Sequence, residues 1–351
     1  MPSPDVDVVI PVHTPARPIR RAVSSVLDTT AAVRVTVVAH NTDPEAISAN
    51  LGDLGTRPEV RVVSLQDGIP SPAGPMNHGI ALAEAPYFSV MGSDDELEPG
   101  ALDSWLAVAR STGATTVIPR VRVDEAAEPT PPRRRGRVRE RDADKDRLSY
   151  RCMPLGLIDR TRFPDLRFTP GLESGEDLEF TAELWFTGAH IAYDRTGPAY
   201  VGHDDAVDRV TRTVRPLSAD FAFLDIVAAK PWYRAASRSA RRGFGVKNLR
   251  VHLMDAVASR LDAPGGIAAY RAELLDTAAA IERMSPGATA LLCRADRKVL
   301  RELETSAPSA DRIRALLSAR WGGGLDARLT ANPFLALHRH APYRTLRDMM
   351  A

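Results

Sequence analysis

The 351-residue chain is poor in cysteine and has no long hydrophobic run. Cys152 and Cys293 are its two cysteines, far apart and in no spacing typical of a metal site, which argues against a disulfide framework and favours a reducing compartment. No apolar stretch approaches the roughly 18 residues of a membrane span, and the N-terminus lacks a basic segment followed by an apolar one. We therefore expect a cytoplasmic protein that is neither integral to a membrane nor exported.

The sequence also lacks a dominant charge. Its 46 Lys and Arg residues balance 45 Asp and Glu residues, giving a formal net charge of +1, so no overall field attracts the protein to nucleic acid. Residues 124–147 are rich in arginine and proline and are expected to be a charged flexible loop, either solvated or in contact with an anionic acceptor. Residues 230–250 interleave Lys and Arg with aromatic residues. They form either the solvated face of a packed helix or a peripheral contact at the inner face of a membrane.

Strands and helices alternate in the first part of the chain. Short β-branched apolar runs indicate buried strands, and apolar residues at helical spacing follow them. We predict strands at 6–12, 33–39, 60–65, 87–91, 115–123 and 191–194, and helices at 19–27, 44–54, 76–83, 97–108 and 173–186. A weaker strand-like run lies within 149–168. This alternation predicts an α/β fold with a mostly parallel sheet flanked by helices.

Beyond residue 216 the strand signal disappears. Helices are predicted at 221–229, 234–259, 267–284, 294–304 and 309–317, separated by breaks that contain Pro and Gly. The expected organisation is therefore one domain at 1–216 followed by an α-helical domain at 217–351. The helical domain is a plausible place for self-association into a homo-oligomer.

The stretch Val90–Pro99, VMGSDDELEP, places Asp94 and Asp95 directly after a predicted strand. The carboxyl ends of parallel strands form the ligand-binding edge of open α/β sheets, and two carboxylates there suit a hard divalent cation. Acids are also common in turns and at helix starts. The pair alone therefore leaves a plain turn open.

Four segments in correct order resemble family 2 glycosyltransferases with the GT-A fold. They are VVIPVH at 8–13, VTVVAHNTD at 35–43, GPMNHGIALAEAPYFSVMGSDDELEPGAL at 74–102 and GEDLEF at 175–180. The resemblance covers roughly residues 6–215. It implies an inverting enzyme that uses Mn²⁺ or Mg²⁺ to move a sugar from a nucleotide-diphosphate donor to an acceptor hydroxyl. The acceptor would be a saccharide, a glycopolymer or a lipid-linked glycan.

The resemblance also implies which residues bind the donor. These are residues that follow the first, second and fourth strands or lie in the loop before the fourth: Pro11, His13, Asn41, Asn77, Ser93 and Asp94. Asn77 suits a helix cap equally well, and a lone loop histidine such as His13 is unremarkable by itself.

Two departures from the family pattern affect the metal and the donor. Gly92 stands where the family's DxD signature has its first aspartate, so Asp94 would hold the metal, with Asp95 either compensating in part or only holding the turn. The acids that the family places after the second strand are replaced by Ala-His-Asn at 39–41. Either His40 and Asn41 read the base by neutral hydrogen bonds, or the donor is not the usual uridine one.

Asp177, with Glu176 beside it, matches the family's catalytic acids. An inverting displacement needs one carboxylate that takes the proton from the acceptor hydroxyl while the diphosphate leaves on the opposite face of the sugar. Acids also suit the positive N-terminus of a helix, which is the alternative explanation. His203 is either a third metal ligand, with Asp94 and Asp95, or a surface histidine.

Two other functions fit part of the pattern. The incomplete acidic signature is compatible with a catalytically impaired module that binds a nucleotide sugar and serves as a scaffold. A nucleotidyltransferase has a similar fold but needs a Gly- and Arg-rich phosphate loop after the first strand, and His13-Thr14-Pro15 does not supply one.

Overall fold

The computed structural model describes residues 3–124, 126–127, 139–203, 214–322 and 324–349. Most of the arginines predicted to contact an anionic acceptor, at 133–137, lie outside these residues. The chain divides into two compact units. Unit 1 contains the described residues of 1–130, 136–141 and 152–210, and unit 2 contains those of 142–151 and 211–351.

The longest strands of unit 1 follow the β-branched apolar runs of the sequence. They are β1 (Val6–Val12), β2 (Val33–His40), β3 (Val60–Leu65), β4 (Tyr87–Val90), β5 (Glu96–Leu97), β6 (Thr116–Pro119), β7 (Val121–Val123), β8 (Ala126–Ala127), β9 (Leu157–Asp159), β10 (Ile191–Asp194) and β11 (Tyr200–Gly202). The strand predicted at 115–123 is thus two strands in different sheets. The ladder ends at Pro119 because proline has no backbone N–H to donate to it.

The larger sheet has the strand order β10-β6-β9-β4-β1-β2-β3. β1 lies inside it and is parallel to β2, from Val6 opposite Val33 to Val12 opposite Ala39, and also to β4. β9 is antiparallel to both β4 and β6, so the sheet is mixed and mostly parallel, as predicted. The smaller sheet has the order β5-β11-β7-β8.

Among the described residues of unit 1, five α-helices flank these strands. They are α1 (Ile19–Leu27), α2 (Pro44–Leu51), α3 (Ala73–Ala81), α4 (Ala101–Thr112) and α5 (Glu176–Thr187). α4 begins at Ala101 and not at Leu97 as predicted, because Glu96 and Leu97 pair with β11. Gly100 then turns the chain with a φ of 76°, a conformation that glycine adopts without steric cost.

Helices cover both faces of β1, which is why it reads as a nearly continuous apolar run. Its one charged residue, Asp7, is buried and has a full set of partners. It accepts the backbone N–H groups of Glu84 and Ala85 at 2.6 and 2.7 Å and pairs with Arg34 of β2 at 2.6 Å. Burial would raise the pKa of Asp7, but the Arg34 guanidinium and the two N–H groups hold it below its usual value.

Unit 2 is helical in the residues that the structure describes, as predicted. Its helices are α6 (Leu217–Asp220), α7 (Phe223–Ala229), α8 (Pro231–Ala235), α9 (Arg238–Asn248), α10 (Met254–Ser259), α11 (Gly266–Met284), α12 (Arg294–Glu304), α13 (Ala310–Ala319), α14 (Leu325–Arg328) and α15 (Pro342–Met349). The single helix predicted at 234–259 is interrupted before Ser237, which caps α9 through the backbone N–H of Ala240. A π-helical turn, Leu249–Leu253, joins α9 to α10.

Charged residues are buried inside unit 2. Asp296 is fully buried and pairs with Arg250 at 2.9 Å and with Arg320 at 2.7 Å. Lys247 is also buried, so the basic stretch at 230–250 is not a uniformly solvated face. Membrane contact through its remaining basic side chains stays a prediction.

Part of the segment predicted to be a charged flexible loop, 124–147, is folded. Asp144 in unit 2 accepts hydrogen bonds from Ser239 at 2.7 Å and His340 at 2.6 Å, and Arg147 pairs with Asp348 at 3.0 Å. Burial would raise the pKa of Asp144, but His340 and Ser239 bring it down to about 2. Hydrogen bonds and ion pairs therefore hold the described part of 124–147 in position, without an apolar core of its own.

In the part of the chain that the structure describes, no helix has the length and apolar character needed to cross a membrane.

The contacts of Asp7 predict a large stability effect for its removal. Asp7→Ala leaves the Arg34 guanidinium and two buried N–H groups without their acceptor, and we expect it to lower the free energy of unfolding by about 3 kcal/mol or more. The matched control is Asp43→Ala, which removes only the cap of α2 and should cost about 1 kcal/mol. Urea unfolding of both variants measures the difference, and equal costs would contradict the assigned role of Asp7.

A second prediction concerns pH and unit 2. Burial lowers the pKa of His338 to about 4, and its Nδ1 accepts the backbone N–H of His340 at 3.2 Å, so protonation removes that acceptor. The unfolded chain binds a proton near pH 6.5 and the folded one does not, so stability present above pH 6.5 is lost as the pH falls toward 4.

His338→Asn replaces this acceptor with one that does not titrate. We expect the loss of unfolding free energy between pH 7 and pH 5 to be smaller than in the wild type by about 1 kcal/mol, a value reduced for partial exposure. His190→Asn is the control, because His190 is exposed and Asn tolerates its φ of 57°. If both variants keep the wild-type pH dependence in urea unfolding, the assignment is wrong.

Candidate active site

The carboxyl ends of four parallel strands define the candidate site in unit 1. His13 follows β1, Asn41 follows β2, Asp67 comes shortly after β3, and Ser93 and Asp94 follow β4. Because β1 to β4 are parallel neighbours in the sheet, these residues come from the same sheet edge. Asn77, in α3, and Pro11, still within β1 opposite Val38, lie outside these loops.

Asp94 is held by two arginines. The guanidinium of Arg17 donates to its Oδ2, and that of Arg21 donates to its backbone carbonyl. The Arg17 and Asp94 side chains are 10% and 16% exposed, so their ion pair is largely shielded from water. The carboxylate proposed to hold the metal therefore has a cationic partner supplied by the chain.

Asp95 is bound to β11 and the residue after it. The Tyr200 hydroxyl donates to its Oδ2, and the backbone N–H of His203 donates to Oδ1 at 3.3 Å. Burial raises the pKa of the Asp95 carboxyl, and the charge of Asp94 acts in the same direction. Tyr200 also accepts the N–H of Gly92 at 3.1 Å, so Asp95 and Tyr200 together fix the turn after β4.

Gly92 has no room for a side chain beside this turn. A Cβ atom at position 92 would lie 2.5 Å from Oδ2 of Asp95 and 3.1 Å from Oδ1 of Asp94. The Asp95 carboxylate thus takes the space that an aspartate at 92 would need.

The three predicted metal ligands do not come together as ligands of one ion. The imidazole of His203 lies 3.2 Å from Oδ1 of Asp124 and 3.3 Å from Oε1 of Glu96, and Asp94 and Asp95 have the partners described above. Among the described residues, no group of three or more His, Cys, Asp or Glu side chains is placed to hold a metal ion. This arrangement does not bring Asp95 and His203 to Asp94 as further ligands of one ion, and the role of Asp94 at a metal stays a prediction.

Asn41 organises the loop after β3. With a φ of 52°, it accepts the backbone N–H groups of Asp67 and Gly68 at 3.1 and 2.9 Å and donates to Asp67 at 3.1 Å. Buried His40 lies 2.8 Å from the same Asp67 oxygen. Burial would raise the pKa of Asp67, but these donors and the N–H of Ile69 lower it. The carboxylate of Asp67, which follows β3, therefore lies beside the end of β2.

Asn77 joins α3 to the segment before α5. Its side-chain amide donates to the carbonyl of Phe168 and accepts the N–H of Phe168, both at 2.8 Å. It lies within α3 and caps neither end, so the helix-cap interpretation was wrong. The Phe168 ring stacks on Phe180 of α5 at 4.3 Å between centroids.

Glu176 and Asp177 begin α5, immediately after Gly175, which has a φ of 76°. Both acids are partly exposed. Glu179, one turn further on, is buried and accepts from Thr169 at 2.7 Å. The start of α5 is thereby anchored at Phe168 and Thr169, which holds the two acids on a fixed turn at the protein surface.

Sequence reasoning missed Arg17, Arg21, Asp67 and Tyr200. Arg17 precedes α1 and Arg21 lies in its first turn, and no sequence pattern indicated which residue they contact. Tyr200 lies outside every strand predicted from the sequence, and its link to Asp95 spans 105 positions. No local signal could have found that contact.

Comparisons with known proteins agree with this geometry. The model of glycosyl transferase family 2 matches residues 7–164. Among proteins with curated descriptions, none matches the chain.

Among solved structures, S. aureus TarS 1-349 in complex with UDP-GlcNAc is similar at 14% identity, with a TM-score of 0.69 over 90% of this chain and 91% of that one. TarS 1-349 in complex with UDP is 13% identical, with a TM-score of 0.66 over 90% of this chain and 90% of that one. A longer S. aureus TarS structure is 15% identical, with a TM-score of 0.62. The match covers 91% of this chain and 56% of that one. At these identities the likeness establishes the fold, including a helical C-terminal region.

The family match and the mixed sheet with its ligand-binding edge agree with each other and with the resemblance of the four sequence segments. Residues 7–164 match the model of glycosyl transferase family 2, and the chain has the GT-A fold.

Proposed function

We propose that the protein transfers a sugar from a nucleotide-diphosphate donor to an acceptor hydroxyl with inversion at the anomeric carbon. The observation that carries the proposal is the family 2 match over the strands whose carboxyl ends present Asn41 and Asp94. The structures of TarS with UDP-GlcNAc and with UDP support a nucleotide-sugar donor. Asp67 beside Asn41 and His40 is our candidate for the carboxylate that meets the base.

Asp177 is the proposed general base. Its carboxylate takes the proton from the acceptor hydroxyl, whose oxygen forms a bond to the anomeric carbon while the bond from that carbon to the diphosphate breaks. The anchored start of α5 supports this role, because a base must be held within hydrogen-bond reach of the proton it removes. Glu176 is proposed to assist by adding negative charge beside it.

Asp94 is the proposed protein ligand of Mn²⁺ or Mg²⁺. A single carboxylate fits such an ion, because Mg²⁺ in phosphate-transfer sites is commonly bound by one or two carboxylates together with the phosphate oxygens of the substrate. When bound, the ion would neutralise charge that develops on the departing diphosphate. Asp95 is proposed to fix the turn that presents Asp94, and not to bind the metal.

The remaining assignments are broader proposals. The acceptor is a saccharide or glycopolymer, the location is cytoplasmic with peripheral membrane contact open, and unit 2 is the candidate surface for a homo-oligomer. A catalytically impaired donor-binding module is the second candidate, favoured by the absence of a side chain at Gly92 and the engagement of Asp94 by Arg17.

A donor panel with a single substitution separates these two functions. Incubation with UDP-, GDP- and dTDP-sugars and Mn²⁺ should reveal hydrolysis or transfer of one donor, and Asp177→Asn should lower kcat by roughly 10²–10⁴-fold with little change in donor KM. Glu304→Gln, on the exposed end of α12, is the matched control. Donor binding without any turnover would favour the impaired module, and full activity of Asp177→Asn would exclude it as the base.

Removal of the metal gives an independent prediction. Transfer should stop in EDTA and return with Mn²⁺ or Mg²⁺, and Asp94→Asn should require a higher metal concentration for half-maximal rate and lose roughly 10²-fold in kcat. The rate is measured against metal concentration for the wild type and for both Asp94→Asn and Glu304→Gln. Equal metal dependence in the wild type and Asp94→Asn would show that Asp94 is not the ligand.

A further inference from the structure

We propose that Arg17 and Arg21 bind the diphosphate of the donor, and that Arg17 exchanges its partner from Asp94 to the diphosphate before Asp94 takes a cation. This rests on the proposed diphosphate donor. In this proposal both arginines bind the diphosphate directly, and the binding of a cation by Asp94 depends on the nucleotide.

The geometry supports this exchange. Arg17 precedes α1 and Arg21 lies in its first turn, and both guanidinium groups reach the same residue, one the carboxylate and one the carbonyl of Asp94. They therefore lie at the sheet edge where open α/β folds bind phosphorylated ligands. Two cations converge there on the turn that carries Asp94.

Guanidinium chemistry suits the exchange. The planar fork of N–H donors matches a phosphate as well as a carboxylate, and it forms two parallel charge-assisted hydrogen bonds with either. A diphosphate carries more negative charge than one carboxylate, so it competes for Arg17 with a stronger field. The Arg17–Asp94 pair is largely shielded from water, where an unpaired charge is costly. The exchange gives the Arg17 guanidinium an anionic partner both before and after it, so this cost does not arise.

Arg20 provides an internal comparison. It lies on the same helix but points elsewhere, pairing with Asp53 at 2.7 Å and with the carbonyl of Leu51. Its side chain is 51% exposed, against 10% for Arg17. Arg20→Gln therefore removes the same charge from the same helix without touching Asp94.

The first measurement is the binding of inorganic pyrophosphate to the full chain in EDTA by isothermal titration calorimetry. We expect Arg17→Gln and Arg21→Gln each to weaken binding by about tenfold or more, as for the loss of a charge-assisted hydrogen bond, with Arg20→Gln close to the wild type. Pyrophosphate affinity equal in all four proteins would overturn the proposal, and so would an equal loss in Arg20→Gln.

The second measurement is the binding of Mn²⁺ alone, from the electron paramagnetic resonance signal of free Mn²⁺. Arg17→Gln releases Asp94, so it should bind Mn²⁺ about tenfold more tightly than the wild type while binding pyrophosphate more weakly. General damage to the site would weaken both ligands, and that result would overturn the exchange. If Arg17→Gln does not fold, Arg17→Met against Arg20→Met tests the same pair of opposite shifts, because methionine keeps an unbranched side chain without the charge.

These outcomes are separable from the proposed function. Sugar transfer with unchanged pyrophosphate binding in Arg17→Gln would reject the arginine roles and leave the transferase intact. Opposite shifts for pyrophosphate and Mn²⁺ without transfer of any donor would support the arginine roles and favour the impaired module.

Discussion

The parallel pairing of β1 with both β2 and β4 is the constraint on which unit 1 depends. It sets the ends of these strands at one edge, so residues far apart in sequence face one ligand site. The buried charge of Asp7 lies near the start of β1, away from that edge, where it ties β2 and the turn before β4 to the sheet. The charge network of Asp7 and the candidate site are thus at opposite ends of β1, so changes at one end need not disturb the other.

The acids that follow the strands are already engaged by donors from the chain. Asp67 is held by His40 and Asn41, Asp94 by Arg17, and Asp95 by Tyr200. A ligand that enters this edge must therefore replace existing hydrogen bonds, and its affinity reflects the difference between two sets of partners. Selectivity then follows from geometry as well as charge, because a ligand that breaks these contacts without replacing them leaves desolvated groups behind.

Much of the fold could be predicted from local patterns. β1, β3 and β10 match their apolar runs residue for residue, and so do α1 and α12 with their helical spacing. The start of α4 could not be predicted, because it follows from the pairing of Glu96 and Leu97 with β11, which is distant in sequence. Pro119 is a local signal for the end of β6, but the place of β7 in the smaller sheet also follows from pairing with β11.

The acids of the candidate site could be picked out from the sequence, and their roles stay predictions, whereas their partners were missed. Asp94 and Asp177 stand out because they follow a strand and open a helix. The partners Arg17 and Tyr200 come from other elements, 77 and 105 positions away, and only the folded sheet brings them to those acids. The same holds for the folded part of 139–151, whose charges find partners near residues 239, 340 and 348.

The crowding around Gly92 links two positions of the chain. A side chain at 92 and the carboxylate of Asp95 compete for one volume, so an aspartate introduced at 92 alone would push against the turn that presents Asp94. Recovering a two-acid DxD signature would require a smaller residue at 95 first, and Tyr200 would then need another acceptor. The absence of an aspartate at 92 is thus coupled to the residues at 95 and 200.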